Sequence, residues 1–301
     1  MANALNVYFN AELAGALREE KGRLYFHYAS AWLRSPNFVP LSIPLPPSSD
    51  EYGDDVVRPF FENLLPEGEI RSAVARLKQV SEKNTFGLLE EIGGDCAGAI
   101  SLLLPESAPP GTDDYDPLED KQLKKMLHSL EKRPLITAAN DELRLSLAGA
   151  QHKLPVLLKD GALFLGRGNA PSSHILKPDI AGFANSTANE MFCMTLADKA
   201  GLPVPKVSLH RHPETVYLVE RYDRARVGER LTRLHQIDFC QALNLPSSQK
   251  YEKEGGPSFN DCFAIVRNYC REPAKDVQNL ITWAVFNYLI GNSDAHGKNL
   301  S

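Results

Sequence analysis

Twice along this 301-residue chain, strand-like alternation of apolar and polar residues gives way to helical spacing, and few folds accept that order. Residues 6–28 read as short strands, LNVYF and GRLYFHY separated by a polar segment, followed by the proline-rich stretch 41–50. The period then changes. DDVVRPFFENLLP, residues 54–66, carries carboxylates at its start and apolar pairs at helical spacing, and Pro66 stops it. EGEIRSAVARLKQV and NTFGLLEEIGG predict two more helices, the latter closed by Gly93 and Gly94, before AGAISLLLP returns to a strand. The loop 105–117, rich in proline and acids, is the best boundary between structural units.

The second cycle opens with a helix over 119–133. LRLSLAGAQHKLPVLLKDGALFLG from Leu143 and SHILKPD from Ser173 then form a new strand series, with a small-residue hairpin turn at AGA. Residues 186–201, STANEMFCMTLADKAG, predict a helix with Thr187 and Glu190 placed as a capping box. VPKVSLH and TVYLVERYD add two strands. From Gln236 onward helical patterning dominates, with helices near 237–243 and 274–290 joined by the loop PSSQKYEKEGGPSF. The expected units are 1–110, 111–230 and 231–301.

Composition narrows the function. A net charge of −5 offers no basic footprint for independent nucleic-acid binding. The five cysteines form no CxxC pair in a chain far too long to need disulfide stapling, which points to a reducing cytoplasm and no zinc site. No run of about 18 apolar residues is present to span a membrane. The N-terminus also lacks the basic start and apolar run of a signal peptide.

Four places could carry chemistry. Directly behind an apolar helix, NSDAHGKN sets Asp294 and Asn299 five residues apart with His296, Gly297 and Lys298 between them. Phosphoryl transfer from ATP needs a carboxylate to accept the proton of the attacking hydroxyl and a hard oxygen ligand for magnesium, which Asp294 and Asn299 can supply. A plain Asp/Gly/Asn turn accounts for the same residues locally. The turn Ala148, Gly149, Ala150, Gln151, His152 and Lys153 has small side chains that would let backbone amides approach phosphate oxygens, although an ordinary hairpin turn would look alike. Lys177 ends the apolar run HILK, where a strand lysine would reach bound phosphates, with Glu190 on the next helix either its partner or a capping residue. Glu220, Arg221 and Tyr222 close the strand VYLVERYD, which suits either an adenine hinge or a charged edge.

Eight segments occur here in the order in which they are found in the HipA family of toxin kinases: FFENLLPEGEIR, EIGGDCAGAI, SLAGAQHK, SHILKP, NEMFCMTLA, VERYDR, LPSSQKYEKEGGP and NSDAHGKN. The chain resembles that family from its first strands to its last residue. The resemblance implies an α+β, bilobal protein-kinase-like fold with an extra N-terminal α/β subdomain and a truncated C-terminal helical lobe. It also implies a serine/threonine kinase using ATP and Mg2+. Carried over, Asp294 is the proton acceptor and Asn299 a magnesium ligand. Ala148 to Lys153 form the phosphate loop, Lys177 is the phosphate lysine, and Glu220 to Tyr222 are the adenine hinge. His296, Gly297 and Lys298 are further nucleotide contacts, and Ser146 is the site of inactivating autophosphorylation, where added negative charge would repel ATP. The family's target is glutamyl-tRNA synthetase, whose modification stalls translation and favours dormancy. Its partner is the antitoxin HipB, a dimeric repressor through which DNA is contacted. Family members continue past the catalytic loop to a second metal-binding aspartate, whereas this sequence stops at Ser301. The expectation is therefore a loss of orders of magnitude in autonomous transfer. The alternative is a catalytically silent module that binds the antitoxin and tunes repression.

Overall fold

The computed structural model describes residues 3–107, 114–130, 148–149, 151–167, 170–228 and 230–301. Alternating patterns fold β1 (Asn3–Phe9), β2 (Glu12–Glu20) and β3 (Arg23–Tyr28) into an antiparallel sheet of order β3-β2-β1-β4, with β4 (Ile100–Leu103) arriving from far along the chain. Leu5, Val7, Leu17 and Phe26 of this sheet are fully buried. Each such side chain contributes roughly 1.5–3 kcal/mol, whereas the Arg18–Glu51 ion pair at the surface of the same sheet is screened by solvent and contributes little. Apolar burial therefore decides this half. Gly15 faces Tyr28 across the ladder, and a Cβ there would lie 2.2 Å from the His27 carbonyl oxygen, so no larger residue fits.

Around this sheet lie α1 (Ser30–Leu33), α2 (Asp54–Glu62), α3 (Gly68–Leu77) and α4 (Thr85–Ile92). Asp54 and Asp55 in the first turn of α2 suit the positive end of the helix dipole. The helix ends earlier than the predicted 54–66, at the C-cap Asn63. The Asn63 amide nitrogen donates to the Pro59 and Leu245 carbonyls at 2.8 and 2.9 Å, closing α2 and tying it to the C-terminal region.

The second sheet, among the described residues, runs β5-β7-β6-β8-β10-β9 and is antiparallel throughout. Its strands are β5 (Tyr115–Pro117), β6 (Leu154–Lys159), β7 (Ala162–Gly166), β8 (His174–Lys177), β9 (Val207–His210) and β10 (Val216–Glu220). Leu154, Val156, Leu176, Val216 and Leu218 join the same buried core as the first sheet, together with α5 (Asp120–Leu127). The predicted helix over 119–133 is observed to end at Leu127, and its residues 131–133 lie outside the described residues. The predicted strand LRLSL lies outside them too. A helix, α6 (Ser186–Lys199), packs on β9 and β10.

Several elements were not foreseen: β2 fills the polar segment expected between LNVYF and GRLYFHY, α1 follows β3, and β5 lies within the expected boundary loop 105–117. A hairpin of β11 (Arg224–Val227) and β12 (Arg230–Arg233) follows the second sheet. Between the expected loop PSSQKYEKEGGPSF and the helix expected from 274 stands α8 (Phe259–Tyr269), after α7 (Phe239–Ala242) and before α9 (Pro273–Leu289). A reciprocal capping box starts α8: Ser258 Oγ accepts from the Asp261 N–H at 3.2 Å, and the Asp261 carboxylate accepts from the Ser258 N–H at 2.9 Å. Phe239, Cys262, Ile265, Val266 and Leu280 form a second, smaller core. Among the described residues no helix is long and apolar enough to cross a membrane.

A buried ion cluster joins the N-terminal region to the second sheet. Asp95, fully buried, receives Arg233 at 2.9 Å, Arg224 at 3.0 Å and Arg221 at 3.3 Å, and Asp223 takes the other faces of Arg221 and Arg224. Burial opposes ionisation of Asp95, but the three guanidinium groups overcome it and hold the carboxyl well below the usual range.

Candidate active site

The end of β8 aims Lys177 at α6, where its ammonium bonds the Glu190 carboxylate, and the same ammonium lies 5.6 Å from the Tyr217 ring centroid. The capping box expected of Thr187 and Glu190 does not form. Asp179 has taken the helix start instead: its Oδ1 accepts from the Thr187 N–H and Oγ1, each at 2.8 Å, and from Ser186 Oγ at 3.0 Å. Asn185, the N-cap, is in the left-handed region at φ 60° and makes no side-chain cap bond. Glu190 is thereby free to serve Lys177.

Of the small-residue turn, Ala148, Gly149, Gln151, His152 and Lys153 are described, whereas Ala150 and the nearby Ser146 lie outside the described residues. Gly149 has φ 106°, which glycine alone adopts without strain, and it forms a parallel bridge with Pro66. Its carbonyl accepts from the Glu67 N–H at 3.2 Å. The Lys153 ammonium bonds the Ala148 carbonyl and is pushed down to about 7, chiefly by burial and then by the positive charges of Lys177 and Lys298, against Glu67 and Glu190. Burial likewise pushes the His152 imidazole down, and its Nδ1 is buried with no hydrogen-bond partner.

After α9 the chain turns into the loop of Asp294. Its carboxylate is 71% exposed, open to an approaching hydroxyl, and its Oδ1 accepts from the Tyr251 hydroxyl at 2.5 Å and lies 3.6 Å from His296 Nε2. The Asn292 side chain holds the Asp294 N–H at 3.1 Å, and Asn299 Nδ2 donates to the Asp294 carbonyl at 2.6 Å, turning its amide oxygen the other way. Gly297 donates to the Lys250 carbonyl at 3.0 Å, and a Cβ on it would lie 2.6 Å from Pro257 Cγ. His296, edge-on to Tyr251 at 5.0 Å, is pushed down by burial and then by Lys250.

Lys298, almost fully buried, is the junction. It donates to Asn63 Oδ1 at 2.6 Å and the Asn63 carbonyl at 3.1 Å, and pairs at 3.4 Å with both Glu67 and Asp238. Lys177, Lys153 and Lys298 thus gather around Glu67 and Glu190, a cationic floor suited to phosphate oxygens.

The predicted hinge sits at the exit of β10. The Glu220 N–H is bound by the Lys206 carbonyl at 2.8 Å and the Arg221 N–H by the Ser173 carbonyl at 2.9 Å. The Arg221 guanidinium is committed to the buried cluster with Asp95 and Asp223. Tyr222 is exposed, and its hydroxyl bonds Gln236 and, at 2.6 Å, Ser301 Oγ. Among the described residues no three His, Cys, Asp or Glu side chains cluster to hold a metal unaided. Magnesium commonly takes only one or two protein carboxylates or amides and completes its shell with phosphates and water, so the amide oxygen of Asn299, whose nitrogen is held by the Asp294 carbonyl, fits such an ion as a partial ligand.

Sequence reasoning passed over Glu67, Asn63, Lys250 and Tyr251, which hold these pieces together. Their signal was present in FFENLLPEGEIR and LPSSQKYEKEGGP, polar residues inside segments otherwise read as helix end and loop.

Known proteins are similar to this chain in sequence and fold. Residues 5–103 match the model of the HipA N-terminal domain, and residues 145–301 match that of the HipA-like C-terminal domain. A Sinorhizobium fredii protein named "Putative kinase Y4mE" is 44% identical over 307 residues, which cover 99% of this chain and 72% of the relative. The serine/threonine-protein kinase toxin HipA of Shewanella oneidensis is 33% identical over 289 residues, 91% of this chain and 65% of that protein. A solved structure of the Shewanella oneidensis MR-1 HipA, HipB and operator DNA complex superposes with a TM-score of 0.80 at 31% identity, covering 98% of this chain and 71% of the matched one.

Proposed function

The chain belongs to the HipA family, and on that premise we propose that it binds ATP with magnesium and phosphorylates a serine or threonine hydroxyl as the toxin of a toxin-antitoxin pair. The observation that carries this reading is the Lys177–Glu190 ion pair between β8 and α6, the arrangement by which kinases hold nucleotide phosphates. Lys177, Lys153 and Lys298 bind the phosphate oxygens, aided by backbone amides of the turn from Ala148 through Ala150 and Gln151 to Lys153. The backbone of Glu220 to Tyr222 meets the adenine. Asp294 orients the attacking hydroxyl and accepts its proton, and the Tyr251 hydroxyl fixes the carboxylate, with His296 Nε2 3.6 Å away. Asn299 offers its amide oxygen to the metal, which when bound neutralises charge on the transferring phosphoryl group. Ser146 is the inhibitory phosphosite in this reading.

The partner is a HipB-like antitoxin, by which the chain would reach operator DNA, since the matched Shewanella structure is a HipA, HipB and DNA complex and this chain carries a net charge of −5. The protein substrate is glutamyl-tRNA synthetase or a related translation protein. Incubation with γ-labelled ATP, magnesium and glutamyl-tRNA synthetase tests the reading: the wild-type chain transfers label and Asp294→Asn does not. Equal labelling by the two proteins would remove Asp294 from the chemistry, and absence of labelling with either would leave an antitoxin-binding role.

A further inference from the structure

We infer that Glu67 is a positioning residue that locks the phosphate loop to the catalytic loop, acting through Lys298 and Lys250; the inference rests on the kinase reading of this site. Glu67 stands at the N-cap of α3, yet its side chain makes no cap bond there. Its carboxylate turns instead toward the two lysines, with Oε2 2.7 Å from Lys250 and Oε1 3.4 Å from Lys298. Its backbone N–H meanwhile binds the Gly149 carbonyl at 3.2 Å, beside the bridge of Pro66 to Gly149. One residue of the N-terminal region therefore grips both sides of the cleft.

The path continues to the reacting carboxylate. The Lys250 carbonyl accepts from the Gly297 N–H at 3.0 Å, and its neighbour Tyr251 holds Asp294 at 2.5 Å. Without the Glu67 charge, Lys298 keeps Asn63 and Asp238 but loses its tie to the residue that binds Gly149, and Lys250 loses its ion pair. The half-buried carboxylate is held ionised by Lys298 and Lys250 against the cost of burial, so it is present as a charge when nucleotide arrives. That charge also favours the protonated form of Lys153. Both effects make removal of the charge weaken phosphate binding.

Calorimetric titration with magnesium and a non-hydrolysable ATP analogue tests this. Glu67→Gln keeps the shape and loses the charge, and is expected to weaken binding roughly tenfold, the scale of a broken partly buried charge pair. Glu67→Asp keeps the charge on a shorter arm and should recover affinity to within about threefold of wild type. In a Lys298→Met background, Glu67→Gln should add no more than about twofold, because the two act as one unit. Wild-type affinity in Glu67→Gln, a larger loss in Glu67→Asp than in Glu67→Gln, or fully multiplicative losses would each overturn the inference while leaving the kinase reading intact. If Glu67→Gln does not fold, Lys250→Met and Lys298→Met carry the comparison, and normal affinity in both overturns it. A wild-type chain that binds no analogue removes the kinase reading, and this inference with it.

Discussion

Tyr251, in the loop between α7 and α8, donates its phenolic proton to Asp294 Oδ1 across 2.5 Å, which leaves the other carboxylate oxygen for a substrate proton. The hydrogen bond to Asp294 is the main reason the Tyr251 phenol is pushed up to about 12. Because the carboxylate stabilises the protonated phenol, Asp294→Asn should return Tyr251 toward an ordinary tyrosine value of about 10. Carbon-13 NMR titration of labelled tyrosine reads it directly. An unchanged Tyr251 titration would mean that the contact is not maintained in solution.

Lys153 predicts proton uptake on nucleotide binding. With its pKa near about 7, much of this lysine is neutral at pH 8, and phosphate oxygens arriving beside it favour the charged form. Titrations at pH 8 in buffers of different ionisation enthalpy should reveal uptake of up to about one proton per nucleotide. Lys153→Met should abolish that uptake, and proton release in the wild type would contradict the placement of Lys153 beside the phosphates.

Asp95 predicts a stability effect with a definite pH sign. Its folded-state pKa is depressed below the unfolded value, so its contribution is present above about pH 4 and is lost as the pH falls further. Asp95→Asn leaves Asp223 to hold the buried Arg221 and Arg224, removes the Asp95 ion pair of Arg233, and should cost about 3–5 kcal/mol at neutral pH. Denaturant melts from pH 3 to 7 check both points: the variant should lose part of the acid limb seen in the wild type. Equal stabilities at pH 7 would show that the cluster does not couple the two sheets.

Gly297→Ala should destabilise the catalytic loop by about 1–3 kcal/mol, because the added methyl collides with Pro257 at 2.6 Å and crowds Cys240 Sγ at 3.3 Å. Urea melts would show the loss. A fall in nucleotide affinity should accompany it, since the Gly297 N–H that binds Lys250 sits next to Lys298.

The order of elements and the catalytic loop were legible in the sequence because both depend on local pattern. Apolar runs marked β1, β3 and β4 of the first sheet, though not the polar β2, and Asp294, His296 and Asn299 are close along the chain and close in space. What depended on competition between local and distant partners was not legible. Thr187 and Glu190 have capping-box spacing, but Asp179 outcompeted Glu190 for the helix start and left it to Lys177. Arg221, placed in the hinge by its position at the end of a strand, has its guanidinium drawn into a cluster with Asp95, 126 residues away. Glu67 stood in FFENLLPEGEIR as a polar residue at a helix end, but its role was not legible there, since its partners Gly149, Lys250 and Lys298 come from three separate segments.

The most direct test of the central claim is calorimetric titration of wild type and Lys177→Met with ATP, with and without magnesium. The Lys177–Glu190 pair predicts saturable, magnesium-dependent binding by the wild type and an affinity at least about tenfold lower in the variant. Equal binding by both proteins, or no saturable binding by the wild type, would contradict the assignment of this cleft to ATP.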